Sequence, residues 1–331
     1  MAIIDETGVR RRLKIMLGSE LLADVYIKRF GYTIHIAKIN GLKLAMEYRE
    51  KMRNGGVAEE PVKADPETDW HDPIYEIQVK CPACFSPVPY WDQKARALAS
   101  SLDMFHMPVY KPVGTFRAVD YNLIAVSICP QCFFASPDKK DFIGKDSARM
   151  REVPSRIQQG ELAAILSSGD QRTSMLEESG LDVTQERIFT RERTPKGALF
   201  AYDLALQRAL VETQRSVPFA LFKMGGYALK QALIARSYGL DETPCLEAAL
   251  AHYLKCFETS NAPGLQYEGQ CLYEIIALHV RLGRVKEAGA YVAVLEKTKA
   301  EAPPPPDIPF VRWYNAAREL WTDRDNPDLW K

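Results

Sequence analysis

Two short motifs constrain this chain more than anything else in it: Cys81-Pro-Ala-Cys84 and Cys129-Pro-Gln-Cys132. In a Cys-x-x-Cys turn both thiolates can face one ion, and two such turns supply the four ligands of a closed tetrahedral site. Each pair also follows a stretch that reads as a β-strand, Ile74 to Lys80 and Tyr121 to Ile128, the way a zinc-ribbon knuckle is presented. Cys81, Cys84, Cys129 and Cys132 are therefore expected to hold a structural Zn²⁺ ion. A catalytic ion is disfavoured, because four thiolates leave no position for water or substrate. The spacing is unusual: 44 residues separate Cys84 from Cys129, against about 15–20 in common ribbons. An insertion is expected between the knuckles, at Trp91 to Thr115.

Two other readings compete for these cysteines. A thioredoxin-like redox pair would need a βαβ context, which neither motif has; unliganded core thiols are the third. His71 and His106 could replace a cysteine ligand, but neither sits at knuckle spacing. Cys245, Cys256 and Cys271 have no partner spacing and read as small buried hydrophobes on helices.

Seven cysteines scattered through 331 residues do not make the dense, even disulfide framework of a small secreted domain, so a reducing compartment is expected. The first residues bring acids and then Arg10, Arg11 and Arg12 where an export signal needs an apolar run. No stretch approaches the ~18–20 apolar residues of a membrane span. Together these point to the cytoplasm. Lys plus Arg and Asp plus Glu each total 43, a balance that argues against a chain devoted to neutralising a nucleic-acid backbone.

The length suits about two domains, and the pattern is α+β: a small zinc-ribbon β domain followed by an all-α domain of helical hairpins. Residues 1–53 read as an N-terminal α/β segment of uncertain fold, with strands near Leu13–Leu17 and Thr33–Ile39 and a helix from Leu42 to Met52. Residues 54–73, rich in Gly, Pro and acids, read as a linker. The ribbon with its insertion takes 74–150, and weak amphipathic helices around Ile157, Leu162, Ile165 and Leu166 form a bridge over 151–195. Over 196–301 the period becomes helical, with helices at Ala198–Thr213, Pro218–Tyr238, Pro244–Glu258, Tyr267–Leu282 and Lys286–Lys299. Residues 302–331 hold a proline linker, Pro303–Pro306, and an aromatic helix carrying Phe310, Trp313, Tyr314, Ala317, Leu320 and Trp321. That helix is expected to cap the preceding pair; docking a partner is the alternative.

The offsets of Leu272, Ile275, Ile276 and His279, then Gly283, then Ala288, Val292 and Leu295 are similar to the tetratricopeptide repeat. A weaker version precedes it, in Phe222, Gly226 and Leu229 with Ala249, Tyr253 and Cys256.

Taken in order, Val79-Lys-Cys-Pro-Ala-Cys-Phe85, the run Tyr121 to Ser136, Asp141-Phe142 and Lys196 to Leu206 resemble a bacterial family of unknown function. That family joins a two-knuckle zinc ribbon to tetratricopeptide-like helices. The likeness spans about residues 75–300 and implies architecture and a bacterial cytoplasmic setting rather than a reaction. Two departures stand out. The glycine that often follows a knuckle's second cysteine is Phe85 in one and Phe133 in the other, and residues 1–73 lie outside the likeness.

For function, the sequence holds no P-loop, dinucleotide fingerprint, His-Glu-x-x-His or Gly-x-Ser-x-Gly, so no enzyme is expected. A protein partner or assembly subunit bound through the helices is the leading expectation, with self-association left open. Nucleic-acid binding through the ribbon is the alternative, resting on Lys94, Arg96, Lys111, Arg117, Lys139, Lys140, Lys145 and Arg149 with Trp91, Tyr110 and Phe116. Six aspartates in that stretch dilute its charge.

Overall fold

The computed structural model describes residues 71–146, 151–301 and 308–330. The chain divides into two compact units, Met1–Asp72 and Pro73–Lys331, and the second is the one described. The strands and helix expected in residues 1–53, the linker up to residue 70 and the polyproline run lie outside the described residues.

The second unit is mixed. Among its described residues, small antiparallel strand pairs come first and eight helices follow. Strand β1 (Ile74–Lys80) forms at the expected place and pairs with β2 (Pro87–Gln93), in a register running from Ile74 opposite Gln93 to Lys80 opposite Pro87. The first Cys-x-x-Cys is thus the turn of a hairpin. The expected strand Tyr121 to Ile128 is cut back to β5 (Ser127–Ile128), which pairs with β6 (Ala135–Ser136) around the second Cys-x-x-Cys. The cause is local: the Asp120 carboxylate accepts from Asn122 N at 3.0 Å and starts a 3₁₀ turn over Tyr121–Leu123, the competition with strand that short polar side chains offer.

The insertion is a third hairpin, β3 (Leu98–Leu102) with β4 (Pro108–Pro112), and its tip reaches the helices. Asp103 closes the tip by accepting from the backbone N–H of Phe105 at 3.0 Å and of Met107 at 2.8 Å. Beyond it come β7 (Gly144–Asp146) and β8 (Arg151–Val153), another antiparallel pair.

The bridge holds two short helices, α1 (Gln159–Ser167) and α2 (Gly169–Ser179). Ile165 is buried among the knuckle residues, whereas Leu166 is exposed. Then α3 (Pro195–Gln214), α4 (Ala220–Ser237), α5 (Thr243–Glu258), α6 (Leu265–Arg281) and α7 (Val285–Glu301) match the five helical periods to within three residues. Thr194 caps α3 by accepting from Gly197 N at 3.1 Å, with Pro195 in the first turn. Each of these helices packs on the next, and α8 (Ile308–Thr322) packs on α6 and α7.

Helix α6 is central: Cys271 to Val280 are all buried, because α5, α7 and α8 surround it. Phe310, Trp313, Tyr314, Ala317 and Leu320 of α8 are buried against that core, so the aromatic helix caps the preceding pair. Close approach is bought with glycine. A Cβ on Gly269 would lie 2.6 Å from the Phe310 ring, and one on Gly225 would lie 2.6 Å from the Tyr253 ring. The tight glycine of α4 is Gly225, rather than Gly226 as the repeat offsets suggest.

The arm formed by β3 and β4 seats its tip in this helical core. Phe105 is 2% exposed and stacks 5.4 Å from Trp330, while His106 sits between Tyr273 at 4.8 Å and Trp313 at 4.6 Å. Arg236 Nη2 pairs with Asp103 at 2.7 Å, and the Tyr273 hydroxyl donates to the Met104 carbonyl. Burial of a Phe side chain of this kind contributes roughly 1.5–3 kcal/mol. Among the described residues, no helix is long and apolar enough to cross a membrane.

Candidate metal centre

Both knuckles fold by the same rule. Cys81 N donates to the Ser86 carbonyl at 2.9 Å and Phe85 N donates back to the Cys81 carbonyl at 3.0 Å. In the second, Cys129 N donates to the Phe134 carbonyl at 2.8 Å and Phe133 N to the Cys129 carbonyl at 3.0 Å. The residue after the second cysteine must turn left-handed to close this loop: Phe85 has φ +61° and Phe133 φ +56°. Glycine takes that conformation without strain, and an L side chain takes it at a cost of roughly 1–2 kcal/mol. The two phenylalanines are spent differently. Phe133 is half-buried, 5.9 Å from the Phe189 ring, whereas Phe85 is 66% exposed.

The paired turns bring the four thiols together. Cys81 Sγ lies 3.6 Å from Cys132 Sγ and Cys84 Sγ 3.4 Å from Cys129 Sγ, and all four sulfurs fall within 4.8 Å of one another. These separations are far too long for a disulfide, which requires about 2.05 Å. They approach the ~3.8 Å edge of a tetrahedron whose corners lie ~2.3 Å from a central ion. The donor set and its spacing therefore fit a metal ion. Cys81 and Cys129 are fully buried, and Val79, Val88, Phe134, Phe142 and Ile165 wall the cluster with apolar surface. Thiols this close share protons: hydrogen bonding to Cys129 and then Cys132 pushes Cys81 up, while donation from Cys129 and Cys81 holds Cys132 down to about 4.

The cysteine-bearing hairpins are tied to the helices next to this cluster. Asp141 accepts from Ser136 Oγ at 2.5 Å, from Arg156 Nε at 2.6 Å and from Arg208 Nη1 of α3. Arg208 continues to Glu212 at 2.5 Å, and Glu212 to Lys223 of α4 at 2.6 Å. Burial alone would raise Asp141, but the Arg208 and Arg156 guanidinium groups and the Ser136 hydroxyl outweigh it and hold the carboxyl below its ordinary range.

The remaining candidates lie elsewhere. His106 is held in the helical core by the rings named above, away from the thiols. Cys245 is half-buried, but Cys256 of α5 and Cys271 of α6 face each other with Sγ atoms 3.6 Å apart, a pairing between helices that no spacing rule reports. Glu274 of α6 was also outside the sequence expectations. Fully buried, with neither carboxylate oxygen hydrogen-bonded among the described residues, it is raised well above the usual carboxylate range by burial first and by Asp103 second. Its one signal in the sequence is an acid set in the otherwise apolar run Leu272 to Leu278.

A search of curated proteins finds no match to the chain, and a search of solved structures finds none. A family model matches residues 74–322, a span that takes in both Cys-x-x-Cys hairpins and the helices that follow: the chain belongs to the DUF2225 family, described as an uncharacterised protein conserved in bacteria.

Proposed function

We propose that this chain is a zinc-stabilised scaffold that binds a partner protein through tetratricopeptide-like helices, its zinc-ribbon hairpins serving to hold the assembly together. The observation that carries the reading is the thiol tetrad. Four sulfurs at near-tetrahedral separations suit zinc, and a zinc ion bound by all four has a closed shell with no position for substrate. Such a centre contributes order rather than chemistry, so the proposal assigns no reaction. The partner surface is assigned to the helices because they pack in sequence order, each on its neighbour, with Gly225 admitting the Tyr253 ring as small residues do in repeat stacks. The arm tip already occupies the faces presented by Tyr273 and Trp313, which leaves the more exposed helix α7 as the best-placed docking face. A reducing cytoplasm suits free thiols at these positions.

Nucleic-acid binding is less favoured, since Lys139 of the ribbon stretch lies 4.0 Å from the Asp92 carboxylate. The test has two arms. The purified chain is expected to carry one zinc ion and to lose stability on chelation; a metal-free protein indifferent to Cys81→Ser would remove the first half. Affinity purification of the intact chain from its bacterium, followed by mass spectrometry, is expected to return one protein at near-stoichiometric yield. Retention of salt-sensitive RNA or DNA in its place would favour the alternative.

A further inference from the structure

Arg172 of α2 is 1% exposed and is the largest of the fully buried side chains. Its Nε donates to the Cys132 carbonyl at 2.9 Å, and its Nη1 to the Ile165 carbonyl and to Ser168 Oγ, both at 2.8 Å. Every one of these acceptors is neutral. Arg208 is also buried but is matched by Asp141 and Glu212; Arg172 forms no ion pair with any carboxylate among the described residues. Its bond to the Cys132 carbonyl sets it beside the thiol cluster, and the thiols of Cys132, Cys81 and Cys129 are the groups of potential negative charge that act on it most strongly among the described residues. A buried cation needs a buried counter-charge, because low-dielectric surroundings penalise it otherwise. Four thiolates around a divalent ion leave a net formal charge of −2, which is the matching excess.

We propose that Arg172 is the positioning residue of the metal centre. Its guanidinium offsets part of that negative charge, and its Nε fixes the Cys132 carbonyl so that the second knuckle keeps its ligand geometry. By bonding Ile165 and Ser168 at the same time, it also anchors the end of α1 to the ion's ligands. The inference rests on the zinc reading above. Groups one shell out from a metal usually change its affinity 10–100-fold, and a cation beside thiolates lowers their energy and so slows their loss.

The test uses the intact, zinc-loaded chain and follows zinc transfer to the chromogenic chelator 4-(2-pyridylazo)resorcinol, well below the melting temperature. Arg172→Met is expected to speed release about 10–100-fold, and Arg172→Lys, which keeps the charge, to recover much of the difference. Arg193→Met is the control: Arg193 is also buried and bonds the carbonyls of Ile188 and Val126, but its electrostatic neighbour is Tyr202 and not a thiol. Release as fast in Arg193→Met as in Arg172→Met would reduce the effect to general destabilisation and overturn the proposal. So would an unchanged rate in Arg172→Met. Should Arg172→Met not fold, Arg172→Gln keeps a donor and removes the charge; in the cobalt-substituted chain its sulfur-to-metal charge-transfer band is expected at lower energy, and an unmoved band with an unchanged release rate overturns the idea. A wild-type chain that holds no metal at all would instead overturn the zinc reading, and this inference with it.

Discussion

Asp141 and Arg208, 67 residues apart in sequence, form a buried ion pair that joins the cysteine-bearing hairpins to helix α3. Neither charge has water to fall back on. Removing one partner leaves the other short of a buried bond rather than alone, since Arg208 keeps Glu212 and Asp141 keeps Arg156, so Asp141→Asn and Arg208→Met are each expected to destabilise the chain by about 1–3 kcal/mol, measured by urea unfolding. The double variant is expected to lose less than the sum, since the pair is one unit. The acid limb follows from the depressed Asp141: its stabilisation is present above the unfolded carboxylate value near ~3.9 and fades as pH falls through the lower folded value. The gap between wild type and Asp141→Asn should therefore shrink in acid.

Glu274 has the opposite sign. Its folded pKa lies above the unfolded one near ~4.3, so folding holds a proton there, and the stability it permits at low pH declines as pH rises toward the folded value. Glu274→Leu is expected to stabilise the chain at neutral pH by roughly 1–3 kcal/mol and to flatten that decline. A loss of stability in Glu274→Leu would show that the carboxyl has a partner after all.

The two left-handed phenylalanines separate strain from packing. Phe85→Gly relieves a strained φ at an exposed position and should stabilise by about 0.5–1 kcal/mol. Phe133→Gly relieves the same strain but gives up the packing against Phe189, and is expected to destabilise by about 1–3 kcal/mol. Thermal melts of the two variants beside the wild-type chain decide it, and equal shifts of one sign would refute the contrast.

Gly269 allows α8 to lie on α6. In Gly269→Ala the new Cβ meets the Phe310 ring, so α8 must move at a cost of about 1–3 kcal/mol, visible as faster amide exchange in residues 308–322 than in α3.

The arm can be tested at its tip. Phe105→Ala leaves a cavity in the helical core and is expected to cost about 3–5 kcal/mol, with new protease sensitivity around Asp103–Met107. Cleavage there at the wild-type rate would mean the tip does not depend on Phe105 for its seat.

Much of this was legible because it is local. A Cys-x-x-Cys turn specifies its own geometry, and the strand before Cys81 and the five helical periods report their own burial, so both knuckles and helices α3 to α7 appear where the sequence puts them. Tyr121 to Ile128 misled because its apolar content suits a strand, while one aspartate side chain, bonding two residues ahead, was enough to start a different turn. The small residue that admits Tyr253 was misplaced by one position, since a helical period does not say which of two adjacent glycines faces the neighbour.

What the sequence determined by itself was the identity of the four thiols, the order of hairpins and helices, and the membership of a family. Only the tertiary structure decided that the insertion is an arm seated among Tyr273, Trp313 and Trp330, that Cys256 faces Cys271, that Glu274 is buried with no hydrogen bond among the described residues, and that Arg172 stands behind the knuckles. Each of these depends on which elements meet across tens of residues. Turn chemistry and periodicity act within a few residues of the chain, so they carry no record of such meetings; side-chain volume, buried charge and the shape of the assembled core settle them.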